Sequence, residues 1–416
     1  MDTVETTALD PRDLRIRELE EELQSVRKKL PLDVDPIAKE VKKRFLRFIL
    51  DQVNPGYQER QKGDLRSWSR DLWKEASRLG LLGFNAPKEL GGEGRDTVSW
   101  NLVLEELGKL IEDPGFLIII MINKIWAGLI LHQGKPHLVE RYAKPMIKGE
   151  ISLSWAVWEP ADLTFMQSVA KKVDGGYVLN ADKPMLTGGL YAGVYAVAVR
   201  DEASSEPILF LVDRDTKGVE VKPLPTVGGQ HIGYASLKIK DAFVPQEQLL
   251  LEYDALSAVA PRFDFGALDA VAVHLGWMQR MIDLCADTLR PKVRMGMPVL
   301  NIPHVQAEMG RLFMGTEVAR AMFLRTLEKA RAGDPSAEGM VVIFKHFLTD
   351  RVLDTAKTVM ALQGASGYMD DNPWGRYFTL TICLLHAAGA QDLLSQQVGE
   401  RMLMQLEMKR LRKVGF

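Results

Sequence analysis

Hydrophobic positions change their spacing twice along the 416-residue chain. From about Ile37 to Glu150 they recur every three to four residues, the period of amphipathic helices, with breaks at Gly80, at Asn85–Gly92 and at Asp113–Gly115. Between Ile151 and Leu250 the period drops to two. Short strands are predicted there at Ile151–Val157, Val169–Val173, Tyr177–Asn180, Val194–Val199, Ile208–Val212, Val219–Pro223 and Leu237–Ile239, separated by Gly, Asp and Pro turns. Strands so short and so closely spaced suggest a compact antiparallel barrel or sandwich. From about Leu256 the helical period returns in four long stretches, Gly266–Leu289, Val305–Ala332, Ala337–Gln363 and Tyr377–Arg412, the signature of a four-helix bundle. The expected fold is therefore a multidomain α+β chain: a helical domain over 37–150, a small β domain over 151–255 and a C-terminal bundle over 256–416.

Residues 1–36 form an extension of a different character. Asp10 is a helix cap, Pro11 suits the first helical position, and Ile16, Leu19, Leu23, Val26 and Leu30 make a seam of 3-4-3-4 spacing. Two heptads are too few for a convincing coiled coil, so the seam predicts an amphipathic helix lying on its own domain, with a docking or oligomerisation helix as the alternative. The most apolar run, Phe116–Ile122, meets Asn123 and Lys124 before it reaches the roughly 20 residues a bilayer requires, and predicts a core helix rather than a membrane span.

Composition narrows the function classes. A 46% hydrophobic and 26% charged chain has the balance of a folded globular protein, and a net charge of -2 supplies no field for nucleic acid or an anionic membrane. Cys285 and Cys383 are far apart and outside any C-x-x-C spacing, which argues against a disulfide framework or a metal site and for a reducing compartment. The start, Met-Asp-Thr-Val-Glu, is acidic and lacks an apolar signal region, so a cytoplasmic address is expected.

Several local motifs then point one way. Leu72–Gly83 followed by Ala86–Gly94 joins a helix to a glycine-rich turn. Leu153-Ser-Trp-Ala-Val-Trp-Glu-Pro160 precedes Lys183-Pro-Met-Leu-Thr-Gly-Gly189, Phe243–Leu250 leaves the β region, and Gln363–Arg376 is a glycine-rich turn in the bundle. In that order they resemble the acyl-CoA dehydrogenase superfamily from about residue 60 to the end. The resemblance implies FAD, with its ring between the β domain and the bundle, and oxidation of the Cα–Cβ bond of an acyl thioester: a base takes the α proton while hydride leaves for the flavin. By the same resemblance Trp155, Val157 and Trp158 face the ring, with Trp158 in place of a threonine. Thr164 stands near the pyrophosphate, Thr187 beside flavin N5, and Met185 replaces a ring-packing tryptophan. Lys292 or Arg294 replaces an arginine on the pyrophosphate of FAD in a partner subunit, and Gly364 and Gly367 let the backbone approach the adenosine half. Gln230, Ile232 and Ala361 depart from the family's usual residues.

The family's glutamate base has no counterpart. Its usual position falls on Ala388, or on Gly389 with a one-residue shift, and the alternative position on the first bundle helix falls on Gly266, followed by Ala267. The nearest proton acceptors in sequence are Asp392, His386, Asp264 and Asp269. Three readings follow. The first, which the family's usual activity favours, is a flavin oxidoreductase that desaturates an acyl thioester, carried on CoA or on an acyl carrier protein, with a relocated base. The second is a monooxygenase-like or redox-neutral enzyme on the same frame, and the third a non-catalytic subunit of a hetero-oligomer. A homodimer or tetramer is expected under the first two, since family oligomers place FAD at a subunit interface.

Overall fold

A computed structural model describes residues 32–61, 70–159, 165–253, 255–387 and 389–413. The seam helix expected over residues 10–30 lies outside them. The N-terminal helices are α1 (Asp35–Phe48), α2 (Arg70–Arg78), α3 (Thr97–Leu110) and α4 (Pro114–Gln133). In α1, Ile37, Val41, Phe45 and Phe48 fall on one face and are buried, so its amphipathic stripe is what docks it. Asp96 caps α3 by accepting a bond from the Ser99 amide at 2.8 Å, and α4 ends at Gly134, whose φ of +64° closes the helix in the left-handed region.

The α4 helix holds the molecule together. Among the described residues it alone is long and apolar enough to cross a membrane, yet 67% of its apolar window is buried inside the protein. The two polar residues that interrupt its apolar run explain this placement. Asn123 accepts a bond from the Leu153 amide at 2.8 Å and so ties α4 to the first strand. Lys124 pairs with Asp269 at 3.2 Å and lies over the Trp100 ring, while Asp269 also accepts from Trp100 Nε1 (2.9 Å) and Asn101 Nδ2 (3.1 Å). One side chain registers α4 against the sheet, the next against the bundle.

The sheet comprises β1 (Leu153–Ala156), β2 (Val169–Val173), β3 (Gly176–Leu186), β4 (Val194–Asp201), β5 (Pro207–Asp213), β6 (Val219–Pro223), β7 (Ala235–Pro245) and β8 (Leu249–Leu251). Its order is β6-β7-β3-β2-β4-β5-β8, with β1 joined to β4. The antiparallel expectation needs amending, because β1 and β2 both run parallel to β4. Strand β4 is buried on both faces: Val194, Ala196 and Ala198 pack towards Trp126 and Ile130 of α4, while Tyr195, Val197 and Val199 share an inner core with Leu179, Leu237 and Phe210. The sheet thus curls around one apolar filling and presents its outer face to α4.

The bundle consists of α5 (Ala255–Leu289), α6 (Pro303–Ala332), α7 (Ser336–Leu362), α8 (Trp374–Thr381) and α9 (Gln391–Lys413). The last stretch, expected as one helix over Tyr377–Arg412, is interrupted: α8 tightens into a 3-10 turn over Ile382–Leu385, and the chain turns at Gly389, with φ +100°, before α9 begins. Lys345 of α7 is buried and donates to the carbonyls of Leu384 (2.9 Å) and Gly389 (2.6 Å), supplying partners for the groups this break releases. Elsewhere α3 crosses α5 in backbone contact. A Cβ on Gly108 would collide with the Val273 carbonyl and one on Gly276 with the Glu105 carbonyl, so both positions require glycine.

Candidate active site

An apolar cavity of about 160 Å³ lies where α4, the β domain and the bundle meet. Ile118, Met121, Ile122, Ile125 and Leu129 of α4 line one side, Trp155 and Thr187 the β-domain side, and Gly266, Ala270, His274, Leu384 and Ala387 the bundle side. Thr187 follows the end of β3 and is held by its own carbonyl, which accepts a bond from Ser154 Oγ of β1 at 2.8 Å. The threonine and Trp155 are therefore positioned by the same pair of strands.

A buried ion pair fixes this wall from behind. Lys183 and Glu159 side chains are 0% and 1% exposed, and Lys183 Nζ donates to Glu159 Oε1 at 2.6 Å and to the Val157 carbonyl at 3.2 Å. Glu159 also accepts from the amides of Gln167 (2.6 Å) and Ser168 (3.2 Å). Burial alone would raise the Glu159 carboxyl, but the bonds from Lys183, Ser168 and Gln167 outweigh it and hold the group below its ordinary range. Buried charge is tolerated here because each partner is satisfied.

Of the residues expected at a flavin ring, Trp155 and Thr187 line the cavity, whereas Val157 is packed in the core between sheet and α4. Trp158 is 47% and Met185 50% exposed. Strand alternation would put Trp155 and Trp158 on opposite faces. Instead their rings meet edge-on at 6.1 Å and 74°, because β1 ends at Ala156 and the alternation stops before Trp158. An exposed apolar ring beside the mouth of an apolar cavity is the kind of surface a flat aromatic ligand covers, so the residues present fit a flavin ring. Thr164 lies outside the described residues.

Lys292, Arg294, Ala361 and Gly364 line a second, polar groove of about 950 Å³, with Arg311, Lys357 and Ser366. Lys292 Nζ donates to Gln363 Oε1 at 2.8 Å. Gly364, at φ +65°, has open space where a Cβ would stand; Gly367 is different, since its Cβ would strike the Met360 carbonyl. That glycine serves the packing of the turn and does not line the groove. Glu308 and Asp354 line the groove as well and pair with Arg311, so Lys292 and Arg294 are the cations beside the open backbone turn that suit a phosphate-bearing ligand. From His274 to Leu289 along α5 the cavity and the groove stand about 22 Å apart at 1.5 Å per residue.

No carboxylate among the described residues lines the cavity. Asp392 and His386 are both solvent-exposed and stand outside its lining: the turn at Gly389 carries the chain away before Asp392, whereas His386 lies between the lining residues Leu384 and Ala387 with its own side chain in solvent. Asp269 is committed to Lys124, Trp100 and Asn101. Ala388 and the Asp264 side chain lie outside what the structure describes. The sequence did not single out His274, which is 1% exposed. Its Nδ1 stands 2.7 Å from the Ala270 carbonyl, and its Nε2 meets no hydrogen-bond partner among the described residues. Burial, with the nearby charge of Lys345, pushes its pKa down to about 4 despite that backbone bond. The available signal was a lone histidine at helical spacing from Gly266 in an otherwise apolar run.

The chain matches three family descriptions in succession: "Acyl-CoA dehydrogenase, N-terminal domain" over residues 36–150, the middle domain over 159–242 and the C-terminal domain over 256–403. It is 26% identical over 352 residues to an isobutyryl-CoA dehydrogenase of Dictyostelium discoideum, covering 81% of this chain and 83% of that one. The fold superposes on butyryl-CoA dehydrogenase from Megasphaera elsdenii with a TM-score of 0.81 at 23% identity, covering 90% and 100% of the two chains. It superposes on a prolyl acyl carrier protein oxidase with a TM-score of 0.80 at 18% identity, covering 88% and 99%.

Proposed function

Since the chain belongs to the acyl-CoA dehydrogenase superfamily and its relatives are flavoenzymes of that type, we propose that it is an FAD-dependent oxidoreductase that desaturates a compact acyl thioester with a base other than the usual glutamate. The observation that carries this reading is the facing of Thr187 and Trp155 from the β domain against Gly266 and Ala387 from the bundle across one apolar cavity. Bound FAD would accept hydride from the substrate's β carbon. Trp155, Trp158 and Met185 would cover its ring and Thr187 would bond to its edge, while the aliphatic face of α4 excludes water from the reacting carbons. The polar groove, about 22 Å along α5 from the cavity, would take the adenosine half of FAD from a second copy through Lys292 and Arg294, which favours a homo-oligomer. A cavity near 160 Å³ suits a short or branched acyl group, in line with the isobutyryl and butyryl substrates named for two of the relatives above; CoA and an acyl carrier protein are both suitable carriers. The cytoplasm is the proposed compartment.

Anaerobic titration of the FAD-loaded protein with butyryl, isobutyryl and prolyl thioesters tests the reading. Bleaching of the flavin's visible absorbance by at least one of them is expected, and protein that binds FAD yet is bleached by none would refute it. The lack of a carboxylate in the cavity lining among the described residues favours one rival, a non-catalytic subunit, which would purify colourless and with a partner chain.

A further inference from the structure

Gly266, Ala270 and His274 follow one another at four-residue spacing along α5, so one helix face brings all three to the cavity. The first two present little more than backbone. The third presents an imidazole whose hydrogen position is settled by its surroundings: the Ala270 carbonyl can only accept, so Nδ1 carries the hydrogen and Nε2 carries the lone pair. That lone pair is buried and meets no donor among the described residues.

We propose that His274 selects an acyl group bearing a neutral O–H or N–H, which donates to Nε2 inside the cavity, so that the substrate is a compact polar acyl thioester rather than a plain alkanoyl one. The inference deepens the flavoenzyme reading and rests on it for the thioester. An acceptor buried without a partner is costly, and a ligand that supplies the donor removes that cost, whereas an apolar isostere does not. The rest of the lining is aliphatic and aromatic apart from Thr187, Tyr234 and Cys383. Size points the same way: an apolar cavity of about 150 Å³ accepts a benzene ring, so this one holds about six non-hydrogen atoms, and one hydrogen bond then settles which of many similar groups fits best. Proton abstraction is a poorer role for this imidazole. The charged form would be buried near Lys345, and burial already holds the ring neutral.

The test uses pantetheine thioesters, which carry the arm common to CoA and carrier proteins, in isosteric pairs: 4-hydroxybutyryl against pentanoyl, and 5-hydroxypentanoyl against hexanoyl. Binding is measured by calorimetry and flavin reduction by anaerobic absorbance, on the FAD-loaded wild type, on His274→Leu and on His274→Gln. We expect the wild type to bind at least one hydroxylated member about tenfold or more tightly than its isostere. His274→Leu should reverse that preference, and His274→Gln, which keeps an acceptor, should retain part of it, with thermal melting confirming that both variants fold. A binding preference without flavin reduction would sustain this inference and defeat the flavoenzyme reading. Reduction or binding with equal preference for both members of each pair would overturn the inference alone, as would failure of every probe to bind. Loss of reduction with all thioesters in both variants, at unchanged binding preference, would instead make His274 the base and also overturn it.

Discussion

The two walls of the cavity differ in what they retain. On the β-domain side a threonine and an indole ring line the cavity, and the threonine and the buried ion pair behind it are held by hydrogen bonds from two strands, β1 and β3, and the turn that follows β1. On the bundle side the positions expected by resemblance to carry the carboxylate are glycine and alanine, and among the described residues the polar side chain that α5 presents to the cavity is the neutral imidazole of His274. The side that would hold the flavin is thus built as a support, and the side that would meet the substrate is, among the described residues, small and apolar with no carboxylate in the lining. The comparison separates cofactor binding from proton abstraction and makes each testable without the other.

If only the base is missing from the bundle wall, Gly266→Glu should restore it. A Cβ there stands 3.1 Å from Ile125 Cδ1, so the helix side chain must yield slightly. The rate of flavin reduction by butyryl thioester should rise by about 10²-fold or more above what the relocated base supports, the contribution of a positioned general base; stopped-flow absorbance measures it, and an unchanged rate would mean that the relocated base is already as well placed as a glutamate at this position. On the opposite wall, Glu159→Gln leaves Lys183 buried against a neutral partner. Denaturant unfolding should show a loss of about 3 kcal/mol, with weaker FAD retention because the strand turn behind Trp155 and Trp158 loosens.

The imidazole gives a smaller, pH-dependent effect. His274 is neutral in the fold down to about pH 4 but protonates near its ordinary value of about 6.5 when unfolded. Between those values the unfolded chain binds the extra proton, so stability falls as pH drops from about 6.5 towards 4 and is fully present above that window. The contribution is on the order of 3 kcal/mol at most. Buried His231, whose pKa is also lowered by burial, acts in the same direction. Urea midpoints across this range should therefore flatten in His274→Gln without becoming flat. Thr187→Val removes one hydroxyl from the flavin wall while keeping its shape; a drop in flavin reduction of about tenfold, on the scale of one hydrogen bond, is expected with FAD still bound.

How much of this was readable from sequence depends on the kind of signal. Val169–Val173 and Val219–Pro223 form strands at the expected limits, since alternation bounded by turn residues is local information. The three-layer order of helices, strands and helices was legible for the same reason, and the motif order identified the superfamily. What failed was local pattern carried across an unseen end. Alternation alone would put Trp155 and Trp158 on opposite faces, but the strand stops between them. Helical period joined Tyr377 to Arg412 although the turn at Gly389, bonded by Lys345 from another helix, divides them. Asp392 and His386 were attractive because they are near Ala388 in sequence, but the same turn removes Asp392 from the cavity, and His386 is exposed although its neighbours Leu384 and Ala387 line it. The sequence signal for His274, its helical spacing from Gly266, says nothing of what surrounds Nε2, and tertiary packing alone determines that.

The most direct test of the account is a fluorescence titration of FAD with the purified protein. Trp155, which lines the cavity with Thr187, and Trp158, edge to face with it, should bring the flavin ring against indole and quench its emission to saturation at one FAD per chain, with Trp158→Ala restoring much of the emission. Emission that stays at the level of free FAD at saturating protein would contradict the account, because the β-domain wall would then not be a flavin site.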